Sequence, residues 1–155
     1  MNDIPLGKNL SIAIGSDHAG FELKQVLAEA LKADGYSLED LGAFSLDPVD
    51  YPDVAVAVGR AVADGRFDRG ILICGTGIGM TITANKIKGV RAAACSESYS
   101  ARMSRMHNNA NVLGLGGRVV GLGVALDIAK AFLDTDFEVG SRHERRVDKV
   151  NELDV

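Results

Sequence analysis

The stretch Ile71-Leu72-Ile73-Cys74-Gly75-Thr76-Gly77-Ile78-Gly79 decides the fold. Its first part is a short apolar run, which reads as a strand buried on both faces. A thiol ends the run, glycines follow at alternate positions, and a helical pattern runs from about Met80 to Lys86. Glycine lets the backbone turn sharply and bring its amides close to a ligand. A helix start adds unpaired N–H groups and partial positive charge. The stretch therefore reads as a pocket for negative charge with a nucleophile or base at its lip.

The flanking sequence repeats this strand-to-helix unit. Upstream, Leu10 to Ile14 reads as a strand ending in Gly15-Ser16-Asp17-His18-Ala19-Gly20. Phe21, Leu23, Val26, Leu27, Ala30 and Leu31 recur at helical spacing over Phe21 to Lys32. Tyr36 to Leu41 reads as a second strand, Gly42 to Pro52 as a loop broken by Pro48 and Pro52, and Val54 to Val62 as a helix. Downstream, Arg91 to Cys95 is a strand and Ser98 to Met106 a polar helix capped by Ser96 or Ser98. Asn111 to Leu115 is a further strand, Leu122 to Leu133 a helix, and Ser141 to Leu153 a highly charged final helix. Alternation of this kind predicts an α/β fold with an open five-stranded parallel sheet and helices on both faces. Ligands of such folds sit beyond the carboxyl ends of the strands.

A chain of 155 residues, 46% hydrophobic and 25% charged, fits one domain, 1–155, with an ordinary core. Its net charge of −4 argues against broad attraction to nucleic acid or anionic membrane. No apolar run approaches the roughly 20 residues that span a bilayer, and Met1 to Leu10 does not read as a signal peptide. Two cysteines without a framework of spacings point to a reducing, cytoplasmic compartment. The three His and two Cys lie far apart, so no metal site is expected. Aromatic residues are too sparse for a base-stacking platform.

Chemistry-bearing residues gather in the loops. Asp17 and His18 follow the first strand, where Asp17 reads either as a helix cap or as an acid. Cys74 reads as a reactive thiol or a structural one. A Cys-dependent phosphatase would want Arg where Met80 stands, and a thioredoxin couple would want Cys where Gly77 stands. His107, before an Asn-rich turn, reads as a general acid or base or as a helix end. Arg118 is taken as a cation near the same rim. Arg142 and Arg146, four apart on one helix face, form a solvated face or a phosphate clamp.

Several segments together resemble type-B ribose-5-phosphate isomerase and the wider family of galactose-6-phosphate and allose-6-phosphate isomerases. They are Gly15-Ser16-Asp17-His18-Ala19-Gly20-Phe21, Asp50-Tyr51-Pro52, Cys74-Gly75-Thr76-Gly77-Ile78-Gly79, Ala84-Asn85-Lys86, Met106-His107-Asn108-Asn109-Ala110-Asn111-Val112 and Gly140-Ser141-Arg142-His143. The resemblance runs in order from about Leu10 to Val150. It implies a Rossmann-like sheet and a homodimer, or a dimer of dimers, with active sites shared between subunits and a C-terminal helix reaching the partner. The reaction it implies interconverts ribose 5-phosphate and ribulose 5-phosphate through a cis-enediol(ate), without cofactor or metal.

By the same resemblance Cys74 is the base, and Met80 stands where some relatives carry a Glu. Thr76 shuttles a proton, Asp17 and His107 open the sugar ring, and Asn108 orients hydroxyls. His18, Arg118, Arg142 and Arg146 hold phosphate, Tyr51 lines the pocket, and Gly75, Gly77, Ile78 and Gly79 offer amides to the oxyanion. Cys95 stays structural. The lead of residues 1–9 departs from the family pattern and is expected to be a flexible arm. The alternatives are isomerisation of allose 6-phosphate, galactose 6-phosphate or a tetrose phosphate, and a non-catalytic sugar-phosphate-binding module.

Overall fold

The structure, a computed structural model, describes residues 3–155. Five parallel strands, β1 (Ser11–Ser16), β2 (Ser37–Asp40), β3 (Arg69–Cys74), β4 (Ala92–Ala94) and β5 (Val112–Gly116), form one sheet in the order β2-β1-β3-β5-β4. Helices α1 (Phe21–Ala33), α2 (Tyr51–Ala63), α3 (Ile78–Ala84), α4 (Ser98–Asn108) and α5 (Leu122–Asp134) follow the strands in turn, and α6 (Glu144–Asn151) closes the chain. The expected α/β sheet is the fold observed.

Alternation along the central strands divides the core in two. Ile12, Ile14, Ile71, Ile73, Leu113 and Leu115 point to the face covered by α1, α4 and α5. Ala13, Leu72, Cys74 and Val112 point to the face covered by α2 and α3. Each fully buried Ile or Leu contributes about 1.5–3 kcal/mol relative to exposure. That is why β3, apolar on both faces, sits at the centre. From β1 the chain goes one way to β2 through α1, then crosses the other face through α2 to β3 on β1's opposite side. This reversal opens a crevice between the carboxyl ends of β1 and β3.

Several boundaries differ from the sequence reading, each for a local reason. α2 begins at Tyr51, because Asp50 is extended and Pro52 occupies the first turn, where its missing N–H costs nothing. α4 is capped by Glu97, whose carboxylate accepts the Ser100 N–H at 2.8 Å, in place of Ser96 or Ser98. On α1 the expected apolar stripe includes Val26, which is 43% exposed, while Lys24 is fully buried. The expected flexible arm is a packed turn over Leu6–Asn9. There Gly7 donates its N–H to Asp134 Oδ1 at 3.1 Å, and Tyr36 donates its hydroxyl proton to Asp134 Oδ2 at 2.6 Å. The rest of that expectation falls partly on residues 1–2, outside the described residues. No helix among the described residues is long and apolar enough to cross a membrane.

Candidate active site

Register brings the first two motifs together. Ser16 pairs with Ile73, and the Asp17 N–H donates to the Ile73 carbonyl at 3.2 Å, so Asp17 stands beside Cys74. Both are buried, at 6% and 5% exposure. Asp17 Oδ1 accepts the Gly20 N–H at 3.0 Å, so its carboxylate does fasten the start of α1 while lying in the crevice. His18 Nδ1 accepts the Val49 N–H at 3.2 Å, which leaves Nε2 to carry the proton in the neutral ring.

The glycine loop aims a donor at the thiol. The Gly77 N–H lies 3.1 Å from Cys74 Sγ, where negative charge on the sulfur would sit. Gly77 adopts φ +80°, and a Cβ there would lie 2.8 Å from the Leu115 backbone, so the turn requires glycine. The Ile78 N–H donates to Thr76 Oγ1 at 3.2 Å and turns that hydroxyl over the loop. Tyr51, opening α2, lays its ring against Gly79, where a Cβ would come within 2.9 Å. The β5–α5 connection is stapled to the same loop. Gly117 donates to the Cys74 carbonyl at 2.8 Å and Arg118 to the Gly75 carbonyl at 3.0 Å. The exposed guanidinium of Arg118 arches over Gly75. Asp17, His18, Tyr51, Cys74, Gly75, Thr76, Gly77, Ile78, Gly79 and Arg118 thus share the carboxyl rim.

His107 and Asn108 do not share it. They form the last turn of α4, which runs from the carboxyl end of β4 down to the amino end of β5. Sequence proximity to Arg118 had suggested a common rim, but strand β5 separates them. They border instead a groove of about 810 Å³, together with Arg91, His143 and Arg146. Arg142 lies in the turn before α6, next to His143, and so does not share a helix face with Arg146 as expected, because the helix starts only at Glu144. Within one chain, the sequence-predicted residues therefore form two groups at opposite ends of the sheet.

Two cations gripping backbone, the buried Arg105 and the half-buried Arg91, hold the turn beside the groove. Arg105, 1% exposed, donates to the carbonyls of Thr135 at 3.1 Å and of Ala110, and to Asn109 Oδ1 at 2.9 Å. Burial, then the nearby Arg69 guanidinium, pushes its pKa down to about 10. Arg91 Nε donates to the Asn109 carbonyl at 3.0 Å, and Asn109 itself is left-handed, φ 47°. These contacts set the turn that presents His107 and Asn108.

His143, to which sequence reasoning assigned no role, stacks on His107 with centroids 4.2 Å apart and planes at 22°. Desolvation first, then His107, Arg142 and Arg146, lowers its pKa against the opposing pull of Glu138. No periodicity would have revealed this pair, because α4 and the α6 entry meet only in three dimensions. Cys95 is buried and its thiol is pushed up to about 11 by burial and then by Glu97, in keeping with a structural role. Among the described residues no group of three or more His, Cys, Asp or Glu is placed to hold a metal ion.

Residues 12–150 match the model of a family described as Ribose/Galactose Isomerase. The chain is similar to ribose-5-phosphate isomerase B of Escherichia coli, with 48% identity over 92% of this chain and 95% of that one. It is also similar to a D-erythrulose-4-phosphate isomerase of Pectobacterium atrosepticum, with 48% identity over 84% of this chain and 87% of the relative. Its fold is similar to that of ribose-5-phosphate isomerase B from Mycoplasma genitalium, solved with bound ribulose-5-phosphate. The TM-score there is 0.87 at 44% identity, covering 92% of this chain and 94% of that one.

Proposed function

Because the chain belongs to the ribose/galactose isomerase family, we propose that it interconverts ribose 5-phosphate and ribulose 5-phosphate through a cis-enediol(ate). The observation that carries this reading is the surroundings of Cys74, a sulfur at the sheet's crevice with an amide donor at 3.1 Å and a carboxylate beside it. Aldose–ketose exchange needs a base that removes a proton next to a carbonyl and gives it back to the neighbouring carbon.

The sugar rests as a closed furanose. Of Asp17 and His107, one takes the proton of the O1 hydroxyl and the other supplies a proton to the ring oxygen as the C1–O4 bond breaks. The thiolate of Cys74 then removes the C2 proton. The electron pair forms the C1–C2 double bond, and the aldehyde oxygen gains a proton. Cys74 returns its proton to C1 while the O2 hydroxyl loses one to become the ketone. Thr76 shuttles the proton between the two oxygens, and the loop amides at Gly75 and Gly79 stabilise the negative charge that develops there, while those of Gly77 and Ile78, expected to serve the same charge, hold the Cys74 sulfur and the Thr76 hydroxyl. A single such donor contributes on the order of 3 kcal/mol to the barrier. Asn108 orients hydroxyls, Tyr51 lines the pocket, and His18, Arg118, Arg142 and Arg146 hold the phosphate. All these steps use side chains and backbone of the protein alone.

One chain holds Asp17 and His107 at opposite ends of its sheet, which supports a homodimer, or a dimer of dimers, in which α6 and the groove of one subunit close over the rim of the next. A phosphorylated metabolite as substrate and a thiol as base fit a cytoplasmic enzyme. Similarity to an erythrulose-4-phosphate isomerase favours a second reading, a four-carbon substrate for the same chemistry.

The test is a coupled assay, in the presence of chelator, against ribose 5-phosphate, allose 6-phosphate, galactose 6-phosphate and erythrose 4-phosphate. The proposal expects the highest kcat/KM on ribose 5-phosphate. Preference for the tetrose selects the second reading, and silence on all four leaves a sugar-phosphate-binding module.

A further inference from the structure

Lys24 has no solvent exposure although it carries a charge. Its ammonium donates to Asp40 Oδ1 at 2.9 Å and to the Ala43 carbonyl. It lies 5.2 Å from the centroid of the Phe21 ring and 5.5 Å from that of Phe44. Asp40 Oδ1 also accepts the Gly42 N–H at 2.9 Å, so the ion pair grips both sides of the turn that leaves β2.

That turn is fastened in turn to the crevice. The Ser16 N–H donates to the Gly42 carbonyl and the Ala43 N–H to the Ser16 carbonyl, each at 2.6 Å. Ser16 immediately precedes Asp17 and His18. The loop continues to Val49, whose N–H donates to His18 Nδ1, and ends at Tyr51, whose ring rests on Gly79. A buried ammonium is costly unless it is paired, and an apolar side chain of similar size often replaces such a pair without loss of stability. What an apolar residue at position 24 could not supply is a grip on the loop.

We propose that Lys24 is a positioning residue, fixing the loop between β2 and α2 so that His18 and Tyr51 meet the sugar phosphate in one geometry. The inference rests on the isomerase reading for its kinetic consequence. Its structural consequence, order at Val49 and His18, stands apart from turnover.

The test uses the double variant Lys24→Met/Asp40→Asn, which leaves no unpaired buried charge, alongside Asp40→Asn alone at a position that is part-exposed. In the double variant KM for ribose 5-phosphate rises about tenfold while kcat stays within about threefold. Amide exchange at Val49 and Ala43 speeds up about tenfold or more while β3 keeps its protection. In a His18→Ala background the same double substitution raises KM by no more than about threefold, the part carried by Tyr51, since coupled residues are not additive. Asp40→Asn alone moves KM and the two amides in the same direction by a smaller factor. Wild-type KM and wild-type exchange at Val49 in the folded double variant would overturn the proposal, as would a KM effect undiminished by His18→Ala. If the parent protein turns over no sugar phosphate, the isomerase reading falls, and exchange at Val49 still decides the role of Lys24.

Discussion

The carboxyl rim and the amino-end groove are made by different means. The rim is backbone work. Strand register sets Asp17 beside Cys74, and the glycine loop and the β5–α5 connection are tied to each other by main-chain hydrogen bonds. The groove is side-chain work. Arg105 and Arg91 reach across to carbonyls at Thr135, Ala110 and Asn109, and His143 arrives from the α6 entry to stack on His107. The rim holds a buried thiol and a buried carboxylate but few cations, whereas the groove holds cations and an imidazole pair but no buried thiol or carboxylate of that kind. Each has what the other lacks. On the proposed reading each is half a site, rigid and complete as structure but incomplete as chemistry.

Four experiments would break or sharpen this contrast. The largest effect is expected at the rim. Cys74→Ala lowers kcat by about 10³-fold, within the range for loss of a general base, and leaves KM nearly unchanged in steady-state assays. An unchanged kcat would remove the rim from the chemistry.

Next is the groove. His107→Asn lowers kcat/KM on ribose 5-phosphate by about 10²-fold. On erythrose 4-phosphate, if it is turned over, the loss is far smaller, because the phosphate on O4 prevents closure of a five-membered ring. Equal losses on both sugars would deny His107 its ring-opening role.

Arg142→Ala and Arg146→Ala come third, each raising KM about tenfold with kcat within about threefold, since phosphate is held alike in ground and transition states. Effects on thermal stability alone would return this segment to the status of a solvated surface.

The smallest effect concerns pH. The folded protein holds the His143 pKa below its ordinary value of 6.5, so the unfolded chain binds the proton more readily. This contribution to stability is fully present above about pH 6.5 and is lost as pH falls through the folded value. Urea midpoints measured from pH 7.5 down to 5 should therefore fall less steeply in His143→Gln than in the parent protein. Identical slopes would mean that neither desolvation nor the charges of His107, Arg142 and Arg146 perturb the ring.

Much of this contrast is legible in sequence, unequally. The rim is readable because short-range patterns make it. An apolar run followed by alternating glycines predicts a buried strand and a tight turn, and the strand–helix alternation predicts the sheet that sets Asp17 beside Cys74. The separation of His107 from Arg118 is also encoded, in chain order, because His107 precedes β5 and Arg118 follows it. Grouping them by proximity along the chain obscures that. Pro52 misleads because a breaker inside a helix is a favourable residue in its first turn. Glu97 is overlooked as a cap because a longer carboxylate reaches the amide that a serine at its side was expected to take. Lys24 and His143 carry no local signal, since the groups that surround them come from β2 and the following loop for Lys24 and from the end of α4 for His143.

The measurement that bears most directly on the two-ended site is complementation between inactive variants. Cys74→Ala and His107→Ala proteins are assayed separately, then co-expressed so that subunits pair at random. If each site joins the rim of one chain to the groove of its partner, half the dimers are mixed and each has one intact site. About a quarter of parent activity then returns, as expected for a two-fold symmetric pair. If the mixture stays as inactive as either variant alone, one chain must supply both halves, and the shared-site account is wrong.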